Sequence, residues 1–370
     1  MAVDRHKSGD EGSGWWPFGQ SKEPSSPALS LTEAASAPSA KCPFWKGKQA
    51  RLQHGRTNYV LLGPETAPLV VCIHGLAASI ATFEKMVPLL TQRGLRVLVY
   101  DLYGFGLSAH VWSRLTPQLY VKQLLQLLAF LRVSKDKKVS LMGHSMGGVV
   151  AVEFARLFES RVSRLLLVAP GGLLQAREAP CAPFLFNCIR GRFCCCLVHL
   201  LRCICLFAGS CAKRRLQQAP HIEDMATPDV RDEVSVRQFT QANKDRLTHN
   251  VAKTTSGYVA ALRHMPLWEK HFGAAYGDLA RKEVSVLFVW GGNDNTVPWA
   301  EVRSAVIRRF AGKGTSCIII PGGGHGLLLE DAEHVSTFAA EWFLFSEDRS
   351  FLKLLEKWRL PSPGGPPVGP

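Results

Sequence analysis

The stretch VSLMGHSMGG, residues 139–148, ends a run of strand-forming residues in a serine set between glycines. Its centre, Gly143-His144-Ser145-Met146-Gly147, has the spacing G-x-S-x-G. Three fixed residues at ordinary frequencies of about 7% recur by chance in roughly one chain of this length in ten, so the spacing alone decides little. Position decides more. The apolar run stops just before Ser145, and a helical pattern, GGVVAVEFARLFE, starts just after it. A serine there sits on a sharp strand-to-helix turn that lifts its hydroxyl above a sheet. Glycines flank it because a side chain would collide with the neighbouring backbone.

Outward from this turn, apolar runs alternate with helical patterns. PLVVCIHG (68–75), LRVLVYD (95–101), KKVSLMG (137–143), VSRLLLVAP (162–170), VSVLFVWGGND (284–294) and SCIIIPGGGH (316–325) read as strands. Helices are expected near 80–93, over PQLYVKQLLQLLAFLR, and near 299–311 and 331–346. Runs without polar alternation imply a sheet covered on both faces, and strand-helix-strand repetition implies parallel strands. The expectation is a doubly wound, mostly parallel eight-stranded α/β sheet. Its first two strands come from QARLQHG and TNYVLLG, and residues 47–170 and 276–347 form the core. The alternation breaks off over 171–275, which reads as an inserted helical cap. Residues 1–46 are rich in Ser, Pro, Gly and Ala and read as a disordered leader, and 348–370 as a tail.

Composition narrows the class. The chain has 370 residues, 46% hydrophobic and 20% charged, enough for a large buried core. A formal charge of +14 favours anionic partners. No zinc-finger spacing, RNA-binding aromatic signature or helix-turn-helix pattern accompanies it, so nucleic acid is not expected. No charged start leads into an apolar run, and Met1-Ala2 lacks the glycine needed for myristoylation. An intracellular protein, cytoplasmic or peripheral to a membrane, is expected. Eight of the 11 cysteines lie between Cys181 and Cys211, which suits reduced thiols better than a disulfide framework.

A serine hydroxyl is a poor nucleophile until a base takes its proton, and the base needs a third group to fix its tautomer. On an open α/β sheet both belong in loops at the carboxyl ends of strands. Asp294 and His325 each follow a strand directly, whereas Asp278, His264, His271 and His334 fall in helical or irregular stretches. The candidate catalytic residues are therefore Ser145, Asp294 and His325. Acyl transfer puts negative charge on the former carbonyl oxygen, which calls for two converging backbone donors. Met146 supplies one, at a helix N-terminus that favours an anion. Leu76, after the VVCIHG strand, supplies the other, and Gly75 lets that backbone approach the substrate. His74 is read as fixing this loop by hydrogen bonds, and Asp101, Gly104, Gly106 and Ser108 as shaping the loop after LRVLVYD. His144 is expected to point away from the nucleophile.

Five motifs together, HGLAAS, DLYGFGLS (101–108), GHSMGG, GGNDNTVP and GGGHGLLLE, resemble those of the α/β-hydrolase superfamily over about residues 50–347. The combination is most similar to monoacylglycerol-lipase-like and carboxylesterase-like members. The resemblance implies a serine hydrolase without metal or cofactor, acting on a small-molecule acyl ester, a lipid above all. Epoxide hydrolases and dehalogenases of this superfamily carry Asp at the nucleophile position, which Ser145 argues against. Some lipid acyltransferases carry H-x-x-x-x-D after the base, where this chain has Glu330. Thioesterase, acyltransferase, peptidase and non-catalytic binding protein remain as alternatives.

The insertion sits where such folds carry a cap. From Phe193 to Gly209 it runs 17 residues with one arginine and one histidine, short of the roughly 20 that span a bilayer. Seven basic residues against one acid lie between Arg177 and Arg215. The segment reads either as an apolar cap helix buried against the core or as an interfacial element. The charge tips it towards the latter, in peripheral contact with an anionic membrane. The clustered thiols could be S-acylated, and their spacing does not form paired C-x-x-C metal ligands.

Overall fold

In the computed structural model, residues 46–111, 113–175, 251–344, 349–357 and 359 are described. The leader, the Cys-rich and basic part of the insertion and the segment PSPGGPPVGP lie outside them.

Eight strands form one sheet: β1 Lys48–Leu52, β2 Gly55–Leu62, β3 Leu69–Ile73, β4 Arg96–Tyr100, β5 Val139–His144, β6 Val162–Val168, β7 Ser285–Gly291 and β8 Ser316–Ile320. Their order is β1-β2-β4-β3-β5-β6-β7-β8. The β1–β2 and β2–β4 pairs are antiparallel and all the others parallel, so the sheet is mixed but mostly parallel. Period-2 alternation sorts its side chains onto two apolar faces. Val71, Ile73, Leu141, Leu165, Leu167, Phe288 and Trp290 belong to one core cluster, and Val70, Cys72, Met142, Leu166, Val168, Leu287 and Val289 to the other. Both faces are therefore dry, which is why the strands lack polar alternation.

Helices cover each face. The first core cluster takes in side chains of α2 (Pro117–Phe130) and α3 (Met146–Leu157), and the second those of α1 (Met86–Gln92). The stretch expected as one helix near 80–93 is divided. A 3-10 turn, Ile80–Phe83, is capped by Ser79 Oγ accepting the Ala81 N–H, and α1 follows it.

The insertion leaves and rejoins the core at one place. Leu174 bridges Trp268, the Gly172 N–H donates to Leu267 O (2.8 Å) and the Glu269 N–H to Leu174 O (2.9 Å). On its return the chain forms α4 (Val251–His264) and α5 (Glu269–Leu279). Phe272, Tyr276 and Leu279 of α5, spaced for one helix face, are buried in the first core cluster. This helix thus flanks the core beside α6 (Trp299–Phe310), although its start falls inside the range 171–275 expected for the cap. Past β8 come the short α7 (Leu327–Glu330) and α8 (Ala332–Leu344). The range expected as tail opens with a further helix, α9 (Arg349–Lys357). It packs Phe351 into the second core cluster, and its Leu355 carbonyl accepts the Ser316 hydroxyl (2.8 Å).

Parallel registers align the carboxyl ends of the central strands. Ile73 is level with Gly143, His144 with Val168, Val168 with Val289 and Gly291 with Ile320. The loops beginning at His74, Ser145, Ala169, Gly292 and Pro321 therefore open on one edge.

Candidate active site

Ser145 is the turn between β5 and α3, with φ +52° and ψ −121°. A non-glycine residue held there costs on the order of 1–3 kcal/mol, which the surrounding packing must supply. Three of the four described non-glycine residues at positive φ, Ala77, Ser145 and Ala169, lie on this edge. The turn is pinned from below by the Ser145 N–H to Val168 O (3.0 Å), and the Gly148 and Gly171 N–H groups both donate to Ser145 O (2.9 Å). Close approach explains Gly147, where a Cβ would stand 2.1 Å from Ile73 O.

Asp294 and His325 are brought together from the ends of β7 and β8. Asp294 Oδ2 lies 2.8 Å from His325 Nδ1. A carboxylate accepts, so Nδ1 carries the proton and Nε2 is left with a lone pair. Asp294 is fixed from its other oxygen, since Oδ1 accepts the N–H groups of Thr296 (2.9 Å) and Val297 (2.8 Å). Its side chain is 0% exposed, while that of His325 is 21% exposed. Asp294 is thus sealed off and His325 keeps an open side.

The loop after β3 closes against Ser145. His74 Nε2 accepts the Leu102 N–H (2.9 Å), so its Nδ1 bears the proton and donates to Gly75 O (2.8 Å). That imidazole ties the Gly75–Leu76 loop to the end of β4. A Cβ on Gly75 would lie 3.1 Å from Ser145 Cβ and 3.3 Å from His144 Nδ1, so any larger residue requires these neighbours to give by a few tenths of an ångström. Met146 is buried at the first position of α3, where the N–H groups have no intrahelical acceptor. Asp101 organises the adjacent loop by accepting from Ile80 N (2.8 Å), Leu107 N (2.7 Å) and Asn58 Nδ2 (2.8 Å), and the Ser108 hydroxyl donates to Asp101 O (2.6 Å). His264, His271, Asp278 and His334 all fall in helices, outside the strand-end loops.

Three contacts went unseen in the sequence reading. The Glu330 carboxylate accepts the N–H groups of Gly324 (2.8 Å) and Gly326 (3.0 Å), the two neighbours of His325. Glu330 clasps the His325 loop by its backbone. His144 turns towards His325, with Nε2 2.9 Å from the His325 carbonyl oxygen. Burial first, and then the adjacent His325 ring, pull the His144 imidazole from its ordinary 6.5 down to about 3, so it stays neutral. Lys253, near the start of α4, donates to the carbonyls of Gly106 (2.9 Å) and Ser108, strapping the returning helix to the loop after β4. A residue preference for backbone carbonyls or N–H groups far along the chain leaves no periodic signal.

Among the described residues no helix is long and apolar enough to cross a membrane.

The sequence matches the alpha/beta hydrolase family over residues 70–337. It is 35% identical over 120 residues to a serine hydrolase-like protein of Homo sapiens, covering 31% of this chain and 57% of that one. The chain spans 35% of the length of the first curated relatives it matches. Among solved structures, a bromoperoxidase from Bacillus anthracis superposes with a TM-score of 0.60 at 21% identity, covering 81% of this chain and 99% of that one. A thermophilic esterase from Thermogutta terrifontis superposes with a TM-score of 0.58 at 20% identity over the same shares. At such identities these structures speak for the fold.

Proposed function

The chain belongs to the alpha/beta hydrolase family, and from that premise we propose that it is a serine hydrolase cleaving carboxylic esters with a hydrophobic acyl chain. The observation that carries this reading is the 2.8 Å hydrogen bond between buried Asp294 and His325, on the same sheet edge as the strained Ser145 turn. In this mechanism Ser145 Oγ attacks the ester carbonyl while His325 Nε2 takes its proton. The carbonyl oxygen becomes an oxyanion held by the N–H groups of Leu76 and Met146. The C–O bond then breaks, the alcohol leaves with the proton from Nε2, and the acyl group remains on Ser145. Water, deprotonated by Nε2, attacks this acyl-enzyme and releases the carboxylic acid, restoring the serine. Asp294 holds the imidazole throughout and stabilises its cationic form.

The hydrophobic acyl group is supported by the apolar, basic composition of residues 177–215. The same composition supports peripheral contact with anionic membranes. Labelling with a fluorophosphonate, which reacts with an activated serine, tests the triad on wild type and Ser145→Ala side by side. A p-nitrophenyl ester series from acetate to palmitate then reads the chain length. The reading expects labelling lost in the variant and activity rising towards longer chains. Folded wild type that resists labelling would refute the triad, and turnover of acyl thioesters in preference to esters would redirect the substrate class.

A further inference from the structure

His144 takes no part in the mechanism above, yet it touches each of its elements. It ends β5, one residue before Ser145, and is buried. Its Nε2 lies 2.9 Å from the backbone carbonyl oxygen of His325. A carbonyl can only accept, so Nε2 bears the ring proton and Nδ1 is left with a lone pair. Nδ1 is buried and has no hydrogen-bond partner among the described residues. It faces the oxyanion loop, since a Cβ on Gly75 would stand 3.3 Å from it. The imidazoles of His144 and His325 have centroids 4.9 Å apart and planes tilted by 42°. One ring therefore meets the nucleophile turn through the chain, the base loop through a hydrogen bond and the oxyanion loop through contact.

Packing alone does not call for a histidine here. A leucine of similar volume would fill the space and leave no bare nitrogen in the interior. What an apolar residue lacks is the donor to His325 O. Glu330 already holds the base loop by the N–H groups on either side of His325, but nothing in that clasp reaches the carbonyl of His325 itself. The two contacts act on opposite kinds of backbone group, and together they fix the peptide planes from which the catalytic imidazole projects.

We propose that His144 is a positioning residue, which holds the His325 loop and the Gly75 loop at a set separation across Ser145, so that base and oxyanion donors meet the same carbonyl. This rests on the reading of Ser145, Asp294 and His325 as an acyl-transfer triad. It concerns the rate of the chemical step and leaves ground-state binding of the ester alone, because His144 is buried behind the nucleophile.

The test compares wild type, His144→Leu, His144→Gln and His144→Asn in fluorophosphonate inactivation rate and in kcat and KM for p-nitrophenyl butyrate. Melting curves check that each is folded. The glutamine amide reaches about where Nε2 lies and can donate to His325 O; the asparagine amide stops near the Nδ1 level. Losing one well-aligned hydrogen bond should lower kcat and the inactivation rate of His144→Leu about tenfold at unchanged KM, with His144→Gln within about threefold of wild type. A leucine variant at wild-type rates, a glutamine variant no better than leucine, or a change confined to KM would overturn the proposal. If the leucine variant does not fold, glutamine against asparagine decides, and equal rates for the two overturn it. Wild type that fails to label removes the triad reading and this proposal with it. A labelled wild type beside an unaffected leucine variant removes this proposal alone.

Discussion

Replacing Glu330 with glutamine tests whether the His325 loop is held by its backbone. The carboxylate spans two donors, Gly324 N–H at 2.8 Å and Gly326 N–H at 3.0 Å. Glutamine keeps one oxygen and turns the other position into an NH2 group, which then faces an N–H, donor against donor. One charge-assisted bond is lost, worth about 1.5–3 kcal/mol, and Glu330 is only partly buried, so the lower end applies. If this falls on the placement of His325 in the transition state, ~1.5 kcal/mol is about tenfold in kcat, with KM unchanged. The same loss should lower the melting temperature by about 3–6 °C for a domain of this size. Glu330→Asp, one methylene shorter, should also fail to reach both donors. The assay is steady-state hydrolysis of a p-nitrophenyl ester together with differential scanning fluorimetry. A Glu330→Gln protein with kcat within twofold of wild type would refute the clasp, and a rise in KM alone would assign Glu330 to substrate binding.

Asp294→Asn should leave the melting temperature near that of wild type while kcat falls on the order of ten-thousand-fold, because the amide no longer selects the His325 tautomer with Nδ1 protonated; activity above a hundredth of wild type contradicts this. Gly147→Ala places a Cβ 2.1 Å from Ile73 O and should destabilise by about 3 kcal/mol or abolish folding, read by urea denaturation. Stability should fall on acidification partly through His144. The folded ring binds a proton only near pH 3, whereas the unfolded one binds it near 6.5, so the unfolded state takes up more protons in between. This group alone then steepens the loss by up to about 1.4 kcal/mol per pH unit from 6.5 down to 3, and contributes nothing above 6.5. Denaturant melts of His144→Gln across that window should show a shallower slope than wild type, and parallel slopes would count against a neutral, buried ring.

The sheet was legible because its strands are apolar on both faces, so runs such as VSLMG and VSVLFVW stand out between helical patterns. The loops at strand ends were legible for the same reason, and that alone singled out Asp294 and His325 from four competing side chains in helices. Where reading went astray, the signal was short or local capping won. Phe351, Leu354 and Leu355 of α9 carry a helical spacing over nine residues, too brief to separate from a tail. Ser79 takes the Ala81 N–H and starts a separate 3-10 turn inside what looked like one helix. The contacts of Glu330, His144 and Lys253 are to backbone groups, and backbone groups are the same at every residue. Nothing in the identity of Gly324, His325 or Gly106 announces which side chain will reach them.

The meeting of Leu174 with Trp268 forms a doorway between the two ends of the insertion. With both ends fixed beside one another, doubling the length of chain between them costs only about 0.6 kcal/mol in closure entropy. The core registers that align Ser145, Asp294 and His325 lie wholly on the other side of that doorway. Chain length can therefore vary between Leu174 and Val251, where α4 begins, without shifting the strand registers, whereas α4 itself is tied to the core by Lys253 and by the buried Ala260 and Ala261. Insertion length and strand register are thus separable in this chain, and a graft of the insertion should leave α4 with the core.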